Sequence, residues 1–180
     1  MLQFRIQGRG GQGALMAAEI LAEAFFREGK YIQAYATYGG ARRGTPVSSF
    51  VRVDDKPIRL RCDIDTPDVI VCFDPSLLTG ALLQGAGERT VVLINSSNTP
   101  DQFADLGNFK IFTVDAIAIA YSNNLGRIVN TTLVGAFTGL VNKPHPDTLA
   151  RVIGEKSPAK ANQNVSAFWE GYGAVTGGMK

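Results

Sequence analysis

Gly8-Arg9-Gly10-Gly11-Gln12-Gly13 has the G-x-G-x-x-G spacing of a tight turn that carries a strand into a helix whose first N–H groups can face an anion. The flanks support that reading. Leu2-Gln3-Phe4-Arg5-Ile6 before it alternates as a strand. From Ala14 to Glu28, Leu15, Ala18, Leu21, Ala22 and Phe25 form one helical face against Glu19, Glu23 and Arg27, and Gly29 stops the helix. A nicotinamide-binding unit would carry an acidic residue at the end of the next strand, about 20 residues beyond the glycines. Tyr31 to Thr37 holds none, and a second glycine-rich loop follows instead, Tyr38-Gly39-Gly40-Ala41-Arg42-Arg43-Gly44-Thr45-Pro46. Two anion-friendly turns with adjacent arginines and no ribose acid predict a phosphate-facing surface for something other than NAD.

Downstream, Ser48 to Val53 and Ile58 to Arg61 alternate on either side of Asp54-Asp55-Lys56-Pro57, which predicts a hairpin whose Arg52, Arg59 and Arg61 share one wet face. Asp68 to Phe73, Thr90 to Asn95 and Lys110 to Val114 are continuous apolar runs of the kind found in strands covered on both faces. Asp74 and Asp115 are placed to cap the helices that follow the first and third runs. Beyond Asn130 the pattern is helical: Thr131 to Val141, with Gly135 and Gly139 permitting close packing, then Asp147 to Gly154, then Ser157 to about Tyr172, then a loose tail of Gly177-Gly178-Met179-Lys180. The expected fold is α/β and Rossmann-like: a largely parallel sheet flanked by helices, with a hairpin addition and a helical C-terminal extension. It is expected as a single domain over residues 1–180, with an α/β core at 1–127 and the extension at 128–180.

With 180 residues, 45% of them hydrophobic, the chain can bury one sizeable core and is too short for two comfortable domains. A net charge of +2 scattered along the chain argues against a nucleic-acid arm or a membrane patch. Without a leader or a spanning segment, a cytoplasmic protein is expected. The usual catalytic sets are missing. His145 is the one histidine and sits between two prolines in a surface turn; no serine lies in a G-x-S-x-G elbow; Cys62 and Cys72 read as small buried apolar residues. What remains is the pair of loops. Guanidinium groups beside glycine turns suit phosphate or carboxylate recognition. They equally suit docking on an acidic patch of a partner subunit, and the glycines can serve simply to pack helix on strand.

An ordered set of motifs spans nearly the whole chain. It comprises the first glycine loop, Ala17-Ala18 with Ile20-Leu21-Ala22, Glu28-Gly29-Lys30-Tyr31, and Tyr38-Gly39 with Arg42-Arg43-Gly44 and Pro46-Val47. Pro57-Ile58-Arg59, Pro67 to Val71, Asp74 to Leu78, Asn130-Thr131 with Leu133 to Phe137, and Asn164-Val165 with Ala167-Phe168 and Gly171-Tyr172 continue it. This set resembles the gamma subunit of 2-oxoacid:ferredoxin oxidoreductases, most closely the pyruvate type. The resemblance implies one subunit of a complex that oxidatively decarboxylates a 2-oxoacid, transfers the acyl group to coenzyme A and reduces ferredoxin or a similar acceptor. It further implies alpha, beta and delta partner subunits that hold thiamine diphosphate, Mg and [4Fe-4S] clusters. This chain would cover the active site and help bind coenzyme A, with no catalytic residue and no metal ligand of its own. The implied cofactor-binding residues are Gly8, Arg9, Gly10, Gly11, Gln12 and Gly13 in the first loop and Tyr38, Gly39, Arg42 and Arg43 in the second. Gly40-Ala41 and Thr45 depart from the pattern frequent in the family, so phenylglyoxylate, indolepyruvate, 2-oxoisovalerate and 2-oxoglutarate stay open as substrates beside pyruvate. The reading of another class is a stand-alone coenzyme A or nucleotide-binding module.

Overall fold

The computed structural model describes residues 1–38 and 44–177, with the backbone alone at Tyr38. Six strands form one sheet in the order β2-β3-β1-β4-β5-β6. They are β1 (Leu2–Arg9), β2 (Tyr31–Tyr38), β3 (Pro46–Asp54), β4 (Val69–Cys72), β5 (Val91–Asn95) and β6 (Lys110–Val114). β1, β4, β5 and β6 run parallel, and β3 joins β1 antiparallel with β2 beyond it at the edge. The helices are α1 (Ala14–Arg27), the single turn α2 (Gly80–Leu83), α3 (Ala116–Ser122), α4 (Asn130–Val141), α5 (Pro146–Lys156) and α6 (Ala161–Thr176). The α/β sheet with its helical C-terminal part matches the sequence expectation. Asp74 and Asp115 cap as expected, accepting from the N–H groups of Ser76 and Ala118.

The hairpin lies elsewhere. Ile58 to Arg61 is irregular, and the antiparallel partner of β3 is Tyr31–Tyr38. Both edges of β3 are thereby occupied, by β1 and β2, so a strand at 58–61 has no edge to pair with. Arg52 is correspondingly not on a wet face: it is 1% exposed. α1 also turns further than expected. Leu15 is exposed while Ala14, Ala17 and Ala24 are buried with Leu21 and Phe25. Of the expected loose tail, Gly177 is instead the C-cap of α6, its N–H donating to the Gly173 carbonyl, and residues 178–180 lie outside the described residues.

One face of the sheet carries the main core. Phe4, Ile6, Val51, Val69, Val71 and Leu93 pack against the apolar sides of α1, α4 and α6. α4 and α6 meet backbone to backbone, since a Cβ on Gly135 would stand 2.0 Å from the Phe168 carbonyl oxygen and one on Gly171 2.1 Å from that of Thr132. On the other face, Ile70, Val92 and Ile94 of the parallel strands bury Leu82 and Leu83 of α2. Over β1 and β3 that same face is polar, and a strap of irregular chain, residues 57–66, covers it. Two buried guanidiniums hold the strap. Arg5 donates to the carbonyls of Ile64, Asp65, Leu82 and Gln84, and Arg52 to those of Cys62 and Asp63 and to the side-chain oxygens of Gln3 and Gln33. The arrangement satisfies the strap's orphan carbonyls, which burial would otherwise penalise.

Candidate binding site at the glycine turn

The two loops meet. At the C-terminal end of β1, the Gly10 N–H donates to the Thr45 carbonyl at 2.9 Å and the Gly44 N–H donates to the Gly10 carbonyl at 3.1 Å. Within the first loop the Gln12 N–H bonds the Arg9 carbonyl and the Gln12 Oε1 accepts from the Arg9 N–H at 2.6 Å. Gly11 and Gly13 adopt φ of 95° and 84°, backbone that only glycine takes up without strain. Gly8 lacks room rather than freedom: a Cβ there would press on Phe73 at 3.1 Å and Ala14 at 3.3 Å.

Arg9 is spent largely within the chain. Its Nε donates to Asp74 Oδ2 at 2.7 Å, Nη2 to Ser76 Oγ at 2.8 Å and Nη1 to the Gly44 carbonyl at 3.2 Å, so it ties the loop to the end of β4 and to the second loop. Burial alone would raise the Asp74 carboxyl, but the bonds from Ser76 and Arg9 outweigh it and hold the group below the usual aspartate range. Gly39, Arg42 and Arg43 fall outside the described residues, and so does the Tyr38 side chain.

The loop's open side faces a cavity of about 350 Å³ that sequence reading did not find. Gly11, Gln12 and Gly13 form one wall, where α1 begins without any side-chain cap, so that its first N–H groups carry the positive end of the helix dipole. Met16, Ile20, Leu125 and Ile128 supply apolar surface, and Arg127, Lys156 and Lys160 supply charge. Lys156 pairs with Glu23 at 3.8 Å and Lys160 donates to the Asn124 carbonyl, whereas Arg127 has no partner among the described residues. Asn130, 4% exposed, is packed against Gly13, within 3.0 Å of where a Cβ would stand. Its Oδ1 accepts from the Thr131 N–H, while its Nδ2 donates to nothing among the described residues. Thr131 in turn bonds Asn164, which ties the start of α6 to the cavity wall. Asn130 had a signal in the motif set; Arg127 had none, because it is brought there by the α3–α4 turn alone.

No three His, Cys, Asp or Glu side chains converge among the described residues. Cys62 is exposed on the strap, and Cys72 is buried in β4, where desolvation pushes its thiol up to about 12. A thiol so disfavoured as thiolate is a poor cluster ligand, so the described residues do not fit an iron–sulfur centre, and no step is derived through one. No helix among the described residues is long and apolar enough to cross a membrane.

A glycine turn between a central strand and a helix, opening on a basic cavity, defines a binding site of the α/β kind. Residues 3–174 match the pyruvate ferredoxin/flavodoxin oxidoreductase family, and the chain belongs to that family. It is 46% identical over 162 residues to the pyruvate synthase subunit PorC of Methanothermobacter marburgensis, covering 89% of each chain. It is 41% identical over 175 residues to the pyruvate/ketoisovalerate oxidoreductases common subunit gamma of Thermococcus litoralis, covering 91% of this chain and 95% of that one. The crystal structure of pyruvate oxidoreductase subunit PORC from Thermotoga maritima superposes with a TM-score of 0.86 at 32% identity over 96% of both chains. A 2-oxoglutarate:ferredoxin oxidoreductase from Magnetococcus marinus shares the fold at a TM-score of 0.77 and 22% identity; this chain spans 31% of its length. The chain is therefore a gamma subunit of a 2-oxoacid:ferredoxin oxidoreductase of the pyruvate synthase type.

Proposed function

We propose that this subunit, acting as one unit over residues 1–180, binds the phosphate-bearing end of coenzyme A beside the glycine turn. In doing so it helps cover a thiamine diphosphate site held by alpha and beta subunits, in a complex that converts pyruvate to acetyl-CoA and passes electrons through [4Fe-4S] clusters, with a delta subunit, to ferredoxin. The observation that carries this is the cavity at the start of α1, where uncapped helix N–H groups converge with Arg127 and the Asn130 Nδ2, both without a partner among the described residues. A helix N-terminus and a guanidinium together stabilise phosphate, and the apolar wall of Met16, Ile20 and Ile128 suits a flat nucleobase. Gly10 and Gly44 spend their N–H groups on each other's loops, so the anion is met by Gly11, Gly13 and the first turn of α1. Arg9 acts as a positioning residue for the turn, while Arg42 and Arg43 are assigned to the same anion on the strength of the sequence motif alone. Thiamine diphosphate, when bound in the complex, supplies the electron sink for decarboxylation; this chain orients the acceptor thiol's carrier and limits the entry of water. The Magnetococcus relative is described with coenzyme A and succinyl-CoA bound, and the Thermococcus relative as common to two oxoacid enzymes. The latter supports substrate choice lying in the thiamine-bearing chains.

In the assembled complex, Arg127→Ala is expected to raise the KM for coenzyme A about tenfold, equivalent to 1.4 kcal/mol, with kcat and the KM for pyruvate unchanged. An intact complex with an unaltered coenzyme A KM would rule out this site.

A further inference from the structure

The polar face of the sheet carries a second site. Gln7, near the end of β1, is 9% exposed, yet its side-chain amide has no hydrogen-bond partner among the described residues. Ser48, directly opposite it on β3, is half-buried and equally unpartnered. Both line two adjoining hollows of about 580 and 300 Å³, which also share Ala81 and so form one trench. The trench is bounded on one side by Asp63 and Asp65 of the strap and on the other by Leu77 and Leu82. An amide that no described residue pairs, reachable from the trench it floors, is complementary to a group that both donates and accepts.

We infer that this trench receives an extended, basic segment of a partner polypeptide in the complex. A peptide group satisfies Gln7 in both directions, its N–H donating to Oε1 and its carbonyl accepting from Nε2, and Ser48 serves the next group along. Along β3 from Phe50 to Pro46 the floor extends about 13 Å, the length of roughly four extended residues. Leu77 and Leu82 accept one row of side chains, and Asp63 and Asp65 attract a lysine or arginine at the far end. Arg5 lines the same hollow and its guanidinium, bonded to the carbonyls of Ile64, Asp65, Leu82 and Gln84, offsets part of this field, but two carboxylates face one guanidinium there and the balance stays negative. The amide-bearing arm of coenzyme A is a poorer occupant: running down β1 from the glycine turn, it would set its thiol beside two carboxylates, which oppose the thiolate that acyl transfer needs.

The test uses the purified complex with a photoreactive benzoylphenylalanine in place of Ser48. Irradiation is expected to join this chain to one partner subunit at a segment bearing lysine or arginine, in the presence or absence of coenzyme A. No cross-link to a partner subunit, a cross-link only to a second copy of this chain, or one abolished by saturating coenzyme A would overturn the inference. Gln7→Leu, which keeps the volume and removes the amide, is expected to weaken reassociation of the subunit about tenfold in dissociation constant while its coenzyme A KM in the reassembled complex stays at the wild-type value. Should Gln7→Leu fail to fold, Ser48→Val carries the same expectation, and unchanged reassociation in the folded variant refutes it. Loss of the Arg127 effect described above would leave this result untouched, so the two readings fail separately.

Discussion

Over β1 and β3, Phe4, Ile6, Val51 and Val53 on one face of the sheet meet helices, whereas Gln3, Arg5 and Arg52 on the other meet a strap of irregular chain. The helical side is held by volume: apolar side chains interlock and two helices touch through glycines. The strap side is held by donors. Two guanidiniums, each with fixed and divergent N–H groups, satisfy carbonyls that no regular element pairs. The two coverings differ in what they tolerate, because close packing penalises any added atom while a hydrogen-bonded cover penalises a lost donor.

The largest effect is expected from Gly135→Ala. Alanine is the better helix former by about 1 kcal/mol, but its Cβ would stand 2.0 Å from the Phe168 carbonyl oxygen, which is backbone and cannot rotate away. α4 and α6 must separate, at a cost of about 3 kcal/mol or more and a fall in Tm of roughly 6–12 °C for a chain of this size. Thermal unfolding of the isolated chain checks it; a Tm unchanged or raised would mean that the helical face is not close-packed.

Arg52→Met comes next. It keeps most of the aliphatic stem and strips the donors from the Cys62 and Asp63 carbonyls and from the oxygens of Gln3 and Gln33, at about 2–3 kcal/mol. The loss should be local: amide exchange over residues 60–66 accelerates while α1 and α4 keep their protection. If exchange rises equally on both faces, strap and core are one cooperative unit and the contrast between them is one of chemistry alone.

The same contrast explains what could be read in the sequence. The helical side was legible because burial of α1 against a sheet forces Leu21 and Phe25 onto one stripe, and because strands covered twice must be apolar throughout, as Val69 to Cys72 and Val91 to Ile94 are. The strap side was not. Arg52 sits at a polar position of an alternating strand, a pattern identical for a wet face and for one roofed by carbonyls. The Asp54-Asp55-Lys56-Pro57 turn signal is local, whereas the choice of β2 as partner for β3 is settled by which edges remain free. At the binding site the glycine turn announced itself by spacing. Arg127 did not, since a lone arginine in a helix–helix turn acquires meaning only from the cavity it enters.

The smallest effect, Asp74→Asn, probes the ionic tie between the glycine turn and β4. Asparagine still caps the Ser76 N–H, so the change removes the charge that Arg9 meets at 2.7 Å and that the Ser76 hydroxyl also bonds. Both groups are partly exposed, and the expected loss at pH 7 is about 1 kcal/mol or less. Because the folded state holds the Asp74 carboxyl below its usual value, the native protein binds fewer protons there than the unfolded chain does. The contribution is therefore complete above the ordinary aspartate value of about 3.9 and disappears as pH falls through the lower folded value. Urea midpoints of wild type and Asp74→Asn should accordingly differ at pH 7 and converge at an acid pH well below the ordinary aspartate value. A gap of equal size at both pH values would assign the loss to the shape of the cap, and the turn would then be held, like the helical face, by fit rather than by charge.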